Sequence, residues 1–313
     1  MTQLGDDPVH AIPATHILRR SRGRWRIFAF LALAIAIAAL VWRFAPELAP
    51  TEKIARVEMS GTITTDHRRL EMFDRLAEDE SVSGVILAIN SPGGTTAGGE
   101  VLYQALKVLS AQKPTVAVIG ELGASAAYMT AIGTDQIFAR RLSIIGSIGV
   151  LYRHVDAGRL LDTIGIDLDK VASGELKAEP DFDEPISPAV RESLATLVED
   201  SFSWFVDVVA AERDLPRARV LALADGRIMT GSMGVEAGLV DAIGGQPEAL
   251  DWLASEHGID PDLAIVSAWP PPSRTGWIPS LLGQTARDLF GLDIERAIAL
   301  DGLVSLWHPS GQQ

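Results

Sequence analysis

The sequence has no cysteine among its 313 residues. Disulfide bonds, a thiolate nucleophile and thiolate metal ligands are therefore excluded. The sequence also has no internal repeat and no cluster of residues with metal-ligand spacing. We accordingly predict a protein that requires neither a metal ion nor another cofactor. With 47% of its residues apolar, the chain can still bury a sizeable core.

Acidic residues are missing from positions 8–46. This region contains an uncharged apolar run, IFAFLALAIAIAALVW, which starts at Ile27 and follows a cluster of five arginines. The run is at the short end for a membrane span, which takes about 20 residues. Because positively charged flanks remain in the cytoplasm, residues 1–26 are predicted to be cytoplasmic. We predict an uncleaved transmembrane signal anchor at residues 27–43, since Pro and Glu follow where a cleavable signal peptide needs small residues.

Charge is distributed unevenly along the chain. Residues 1–43 carry a net charge of +4, and the rest of the chain carries −18. A strongly acidic domain repels phosphate groups, so nucleic acid is not expected as a partner.

Beyond the apolar run, strand and helix patterns alternate. Runs typical of buried strands are IARVEM, GVILAIN, PTVAVIG and DQIFA, which start at positions 54, 84, 114 and 135. Apolar residues recur with helical spacing at 68–80, 98–112 and 188–213. This order predicts an α/β domain over residues 44–266, with a twisted, mostly parallel sheet and flanking helices. Residues 267–313 are predicted to be a Pro-rich linker and a tail of one or two amphipathic helices.

Two short motifs carry candidate functional residues: GASAAY contains Ser125, and SPGG contains Gly93 and Gly94. Ser125 follows a predicted strand at the start of a helix, and the glycines can present bare backbone N–H groups. A serine nucleophile needs a base for its proton and fixed N–H donors for the oxyanion. The motifs therefore make Ser125 a candidate nucleophile, with Gly93 and Gly94 as candidate oxyanion donors. The alternative is that Ser125 is a small helix-capping or packing residue.

These motifs belong to a longer series. INSPGG, ASAAY, GSIGV, SGELK, ADGRIMTG and AGLVDAIGG occur in this order between Ile54 and Gly245. The series resembles the signal peptide peptidase A family (peptidase family S49), membrane-anchored serine proteases with a Ser–Lys dyad. SPGG and GLVD also occur in the Clp proteolytic subunit and the crotonases, so these two indicate the shared superfold rather than the chemistry. The resemblance implies a crotonase/Clp-protease-like fold that assembles into a ring-like homo-oligomer.

The resemblance also implies that Lys177, in SGELK, is the general base for Ser125. A lysine amine has an ordinary pKa near 10.4 and becomes a base near neutral pH only if desolvation lowers that value. The carboxylates of Glu175 and Glu179 must then stay away from the amine. In the family this lysine meets the serine of an adjacent subunit or repeat, so a chain with one of each has to oligomerise. Without the resemblance, Lys177 would be read as an ordinary surface lysine.

Two further features of the sequence bear on this assignment. Ser147, in GSIGV, matches a family serine that orients the lysine, and its alternative role is turn formation. Ala126 and Ala127 stand where the family commonly has glycines. Alanine still donates its backbone N–H, so the oxyanion role of Ala126 survives if the local conformation is helical.

Three alternatives remain open. A Clp-like triad would join Ser125 to His154, with Asp200 or Asp207 as the acid. A crotonase-like acyl-CoA enzyme would use the same oxyanion geometry without a nucleophile. A non-catalytic membrane scaffold would explain the alanines after Ser125.

The favoured hypothesis is a serine endopeptidase that is anchored in the bacterial inner membrane by a single span. Its N-terminus would be cytoplasmic and its catalytic domain periplasmic. Its substrates would be remnant signal peptides or other short apolar peptides, its active site would lie at a subunit interface, and its lipid contact would be the anchor.

Overall fold

The computed structural model describes residues 25–26, 28–39 and 52–270, and the backbone of 303–306. The chain divides into two compact units, residues 1–51 and 52–313. In the first unit, residues 25–26 and 28–39 are helical, and the rest of the predicted anchor lies outside the described residues. Among the described residues, no helix combines the length and the apolar character that a membrane crossing requires.

The second unit is built on one sheet of ten strands. Their bounds are β1 Lys53–Ile63, β2 Val82–Thr95, β3 Thr115–Ala124, β4 Gln136–Ala139, β5 Ile144–Gly146, β6 Leu151–Tyr152, β7 Ile228–Thr230, β8 Ala242–Ile243, β9 Ala264–Trp269 and β10 Leu303–Leu306. Six of them pair in parallel in the order β9-β1-β2-β3-β4-β8. β5 extends the sheet in parallel beside the end of β3, and the pairs β5–β7, β2–β10 and β6–β10 are antiparallel. The predicted mixed α/β fold with a mostly parallel sheet is therefore confirmed.

Eight helices of the second unit are described. They are α1 His67–Glu78, α2 Thr96–Ser110, α3 Ala126–Ala131, α4 Gly158–Ile164, α5 Pro188–Glu212, α6 Arg217–Leu223, α7 Gly231–Ala237 and α8 Gln246–His257. Side-chain oxygens of Asp66, Thr95 and Ser187 accept backbone N–H groups at the starts of α1, α2 and α5. Such caps fix where a helix begins because they satisfy N–H groups that have no partner within the helix.

Two cores lie on the two faces of the sheet. The larger core packs α1, α2, α3 and α5 against the sheet through Phe73, Leu106, Tyr128 and Phe205, all at most 1% exposed. The smaller core packs α8 against residues of β1 to β4, chiefly through Leu253. Burial on both faces explains why the central strands β2 and β3 are nearly continuous apolar runs.

The C-terminal region differs from the prediction in two ways. β9 runs to Trp269, so the strand crosses the expected domain boundary at residue 266. Within the tail predicted to contain one or two amphipathic helices, residues 303–306 form the strand β10. The physical reason is tertiary: β10 pairs with both β2 and β6, and such pairing overrides a local helical pattern. Residues 271–302 lie outside the described residues.

Candidate active site

Ser125 occupies a one-residue turn between β3 and α3. Its backbone has φ 60° and ψ −122°, which an L-residue adopts only when the surrounding structure enforces it. The side chain makes no capping hydrogen bond to α3, so capping does not explain why a serine stands here. The residue is 1% exposed. A strained strand-to-helix turn is also how the nucleophile elbow of α/β-hydrolases presents its serine.

Two backbone hydrogen bonds, one at Ser125 and one at Ser147, hold this turn in place. The Ser125 N–H donates to the Gly146 carbonyl at 2.8 Å, and the Ser147 N–H donates to the Arg227 carbonyl at 2.8 Å. Gly146 and Ser147 both have positive φ, 89° and 51°, so the loop after β5 is itself bent. The antiparallel β5–β7 pair links Gly146 to Ile228. The GSIGV and ADGRIM motifs therefore support the Ser125 turn through the backbone.

Small residues allow α3 to pack closely against α2. Ala126 and Ala127 are completely buried, and a Cβ built on Gly99 of α2 would lie 3.0 Å from the Ala126 Cβ. Ala126 is the first residue of the helix and does not require positive φ. The alanines that depart from the family pattern are thus in an ordinary helical conformation. This conformation is the condition under which Ala126 can donate its backbone N–H to an oxyanion.

The far side of α3 is fixed to the GLVD motif. The buried Tyr128 hydroxyl donates to the Leu239 carbonyl at 2.8 Å, and burial raises the pKa of Tyr128 above its usual range. Asp241 accepts the Ile137 N–H at 2.7 Å and forms an ion pair with Arg213 at 2.6 Å. Tyr128 of the ASAAY motif and the GLVD motif therefore act here as structural elements.

The SPGG turn lies beside the Ser125 turn, since Ser91 of β2 is paired with Gly123 of β3. The buried Ser91 hydroxyl donates to the Gly61 carbonyl at 2.6 Å and accepts the Gly93 N–H at 3.2 Å. Gly93 has φ 104°, which favours glycine. Of the predicted oxyanion donors, Gly93 thus already has an internal acceptor.

Gly94 is required for a different reason. A Cβ at this position would lie 1.8 Å from the Ile63 carbonyl oxygen of β1. No side chain can be accommodated at that distance, so only glycine allows the β1–β2 pairing to continue as far as Ile63 and Gly94.

Lys177 lies in a segment of the opposite character, residues 151–187, which we call the lysine lobe. No residue of the lobe is buried, although its sequence is rich in apolar side chains. Those more than a third exposed are Leu151, Val155, Leu160, Ile164, Ile166, Leu168, Val171, Leu176 and Phe182. Lys177 is itself exposed, and its amine makes no hydrogen bond or ion pair within the described part of the chain. The structure therefore shows no contact of the Lys177 amine with Ser125.

The carboxylates near Lys177 are held by another cation. Lys170 contacts the Glu179 carboxylate, hydrogen-bonds Asp181 at 2.8 Å and lies 3.9 Å from Glu184. The hydrogen bonds that Lys170 donates to the Asp181 and then the Glu179 carboxylate raise the pKa of Lys170 above its usual range. Glu179, the acidic residue two positions after Lys177, is thus engaged by Lys170. Glu175 is exposed.

The residues of the alternative triad are not assembled with Ser125. His154 Nε2 lies 3.1 Å from the Glu184 carbonyl oxygen, on the exposed lobe. Asp207 forms an ion pair with Arg217 at 2.6 Å, and Asp200 is exposed on α5. A cavity of about 280 Å³ lies on the sheet face that α8 covers and is lined by Arg56, Glu58 and Arg140, among others. Ser125 is not among its lining residues.

Three supporting residues were missed by sequence reasoning. Ser91 closes the SPGG turn, Gly146 accepts the Ser125 N–H, and Lys170 binds the acidic residues of the lobe. The positions of Ser91 and Gly146 inside SPGG and GSIGV were the available signal. Nothing in the sequence marked Lys170.

Fold and sequence together define the class as an α/β peptidase. The model of peptidase family S49 matches residues 107–260. A Synechocystis protein named as a candidate protease is 36% identical over 224 residues, which cover 71% of this chain and 80% of that protein. An Enterococcus faecium protein named as a candidate signal peptide peptidase SppA is 30% identical over 279 residues, 85% of this chain and 79% of its own length. Protease 4 of Haemophilus influenzae is 31% identical over 209 residues, 64% of this chain but only 34% of that protein.

The chain belongs to peptidase family S49, the signal peptide peptidase A family. The resemblance inferred from the motifs is confirmed. Membership in a family of peptidases disfavours both the acyl-CoA enzyme and the scaffold.

Proposed function

We propose that the protein is a membrane-anchored serine endopeptidase with Ser125 as nucleophile and Lys177 as general base. The observation that carries this proposal is the conformation of Ser125, a buried serine at φ 60° between β3 and α3, beside the glycine turn of β2. Strained backbone of this kind is concentrated at functional sites.

The chemistry follows from the parts. Ser125 Oγ attacks the carbonyl carbon of the substrate as its proton passes to the neutral Lys177 amine, and the C–O bond forms. The backbone N–H groups of Gly94 and Ala126 stabilise the oxyanion, while the Gly93 N–H donates to the Ser91 hydroxyl. The leaving amine takes the proton from Lys177, and an acyl-enzyme remains. Water then releases the acyl group through the same proton path.

We propose that Lys177 acts in a neighbouring subunit. The support is the lysine lobe, whose apolar side chains are exposed in the single chain, Val171 fully and Leu160 by 64%. Continuous exposed apolar surface on a soluble domain marks a protein–protein interface. Packing of this lobe on a second copy would bury those side chains and desolvate the lysine amine, which favours its neutral form. Ser147, whose backbone N–H donates to the Arg227 carbonyl, is the candidate for orienting that amine.

Subunit mixing tests the intermolecular dyad. Ser125→Ala and Lys177→Ala proteins are each expected to be inactive, and mixing them should restore part of the peptidase activity. A mixed oligomer can place an intact serine against an intact lysine. Labelled subunits followed by fluorescence transfer verify exchange. No recovery despite exchange would refute action in trans.

Assembly itself is tested at the lobe. Val171→Asp should shift the protein towards monomer in analytical ultracentrifugation, because a charge would have to be buried at the interface. Val108→Asp is the matched control, since Val108 is also exposed, by 58%, but lies on α2. Equal behaviour of the two variants would argue against a lobe interface.

The anchor is proposed at residues 27–43, with residues 1–26 cytoplasmic and the catalytic domain periplasmic in the bacterial inner membrane. Its support is the arginine cluster before the apolar run. The Enterococcus faecium relative named as a candidate signal peptide peptidase supports remnant signal peptides, or other short apolar peptides, as substrates. Alkaline phosphatase fused after Gln313 should be active, as that enzyme needs the periplasm. An inactive but intact fusion would reverse the orientation.

A further inference from the structure

Helix α8 covers only part of the sheet face on which it lies. Side chains at paired positions of neighbouring parallel strands point to the same face of a sheet. The pair Ile86 and Val116 packs under α8 and is fully buried, whereas the next pair along the same face, Ala88 and Val118, is only half-buried. The sheet therefore continues past Gln246, where α8 begins, and its uncovered part forms the floor of the cavity of about 280 Å³.

Two arginines line this cavity from opposite sides. Arg56 lies on β1 and Arg140 directly follows β4, with β2 and β3 between them. Within the described part of the chain, the Arg140 guanidinium makes no hydrogen bond or ion pair. The contact of Arg56 with Glu58 measures 3.4 Å, longer than the roughly 2.8 Å of a strong charged pair. Both guanidiniums therefore retain N–H donors for an anion.

The backbone around Arg140 is held in place. The Arg140 carbonyl accepts the Ser143 N–H at 3.0 Å, and a Cβ on Gly231 would lie 2.2 Å from the same oxygen. The preceding Ala139 carbonyl accepts the Gly244 N–H at 3.0 Å. Because the backbone is already ordered, binding of a ligand by Arg140 would order only its side chain.

The charges and the floor of the cavity indicate the class of ligand. Arg56, Arg140 and Glu58 together carry +1, which suits a single negative charge. The N-terminus of α8 is already capped, because the Glu248 carboxylate accepts the Gly245 N–H at 2.7 Å, so the arginines are left as the anion-binding groups. A guanidinium matches the planar geometry of a carboxylate, and the floor between the arginines is apolar. At this volume the cavity is at the small end of ligand pockets.

We propose that this cavity binds a small apolar carboxylic acid, with its carboxylate on Arg140 and Arg56 and its apolar part on Ala88 and Val118. Two kinds of molecule carry this chemistry, the free C-terminus of a short peptide and an aliphatic acid. Ser125 does not line the cavity, so this site stands apart from the proposed catalytic residues and does not depend on their function.

Calorimetric titration of the full chain tests the site. N-acetyl-leucine should bind, and N-acetyl-leucinamide, which has nearly the same shape without the charge, should not. Arg140→Gln should weaken binding by roughly 10-fold, consistent with losing a charged hydrogen bond. Arg141→Gln is the matched control, because Arg141 is the exposed neighbour that contacts the Ser232 hydroxyl and does not line the cavity.

A second variant should increase affinity. Glu58→Gln removes the carboxylate that competes for Arg56 and should tighten binding by roughly 2- to 3-fold, a small effect because the pair is exposed. Misfolding cannot cause such a gain, so this arm remains decisive even if Arg140→Gln is unstable.

The choice of probe distinguishes the two sources of the carboxylate. Tighter binding of N-acetyl-leucine than of 4-methylpentanoate would identify a peptide C-terminus, and the reverse an aliphatic acid; both support the site. Equal binding of N-acetyl-leucine and its amide, equal affinities of Arg140→Gln and Arg141→Gln, or tighter binding of inorganic phosphate would overturn it.

Discussion

Ser125 and Lys177 lie in regions with opposite physical character. The Ser125 turn is buried, built from small residues and held by backbone hydrogen bonds to Gly146. The lysine lobe has no buried residue, and Lys170 forms ion pairs within it. The comparison indicates that the Ser125 turn is organised within one chain. In the proposed intermolecular dyad, a second copy would cover the lysine side.

The largest expected effect is the loss of activity on removing either member of the dyad. Ser125→Ala and Lys177→Ala should each lower peptide hydrolysis by several orders of magnitude, as loss of one member of a catalytic unit does. Lys177→Arg should not rescue, because guanidinium stays protonated. His154→Ala should be nearly silent, since His154 Nε2 contacts the Glu184 carbonyl of the lobe. If His154→Ala abolished activity and Lys177→Ala did not, the triad would be correct.

Gly94→Ala should give the next largest effect, on stability. Its Cβ would lie 1.8 Å from the Ile63 carbonyl oxygen, so β1 and β2 must separate. We expect the free energy of unfolding to fall by at least about 3 kcal/mol, measured by denaturant titration. Gly120→Ala is the control, because a Cβ built on Gly120 would lie 3.5 Å from the Ile89 carbonyl oxygen, an ordinary contact distance. If Gly94→Ala lowered the free energy of unfolding only slightly, the turn would be less rigid than its packing implies.

The acidic cluster offers a test of the lysine side. Lys170→Ala frees the carboxylates of Glu179 and Asp181, which would then favour the charged form of the Lys177 amine. Because the proposed general base must be neutral, kcat/KM is expected to rise on the alkaline side. In Lys170→Ala this rise should move to higher pH by roughly 0.5 units, a small shift because exposed charges are screened. Lys107→Ala breaks a comparable ion pair, that of Lys107 on α2 with Glu212 on α5 at 2.9 Å, and should leave the profile unchanged. An unchanged profile in Lys170→Ala would limit the cluster to holding the lobe together.

The smallest effect concerns Asp225, which supports the Ser125 turn indirectly. The Arg227 guanidinium hydrogen-bonds its carboxylate and lowers the pKa of Asp225 from 3.8 to about 2. A lowered pKa in the folded state stabilises the fold above the ordinary value, and this contribution is lost as the pH falls from about 4 towards 2. Because both groups are exposed, the contribution is small. Asp225→Asn should slightly weaken the acid dependence of the melting temperature, measured by circular dichroism, and an unchanged dependence would contradict this.

Much of the fold could be predicted because its signals are local. Continuous apolar runs marked β2 and β3, and helical spacing at 188–213 matched α5 within one residue. The placement of Ser125 between a strand and a helix followed from the same patterns.

The rest depends on contacts that are distant in sequence. The strand at 303–306 exists because β2 and β6 pair with it. The amphipathic pattern of a local segment carries no information about the distant strands with which that segment pairs. The link between Lys170 and Asp181 depends on how the lobe loop folds back, and a charged stretch has no periodicity from which to infer that. The surroundings of Lys177 were unpredictable for a further reason, since in the proposed mechanism a second copy completes them.

The hydrogen bond from Ser125 to Gly146 also has a consequence for biosynthesis. A chain emerging from the ribosome presents Ser125 before Gly146, and the β5–β7 pairing that holds Gly146 against Ile228 forms later still. The Ser125 turn is therefore expected to gain its full backbone support only in chains long enough to include Ile228. A peptidase assembled in this order would mature late in its own synthesis.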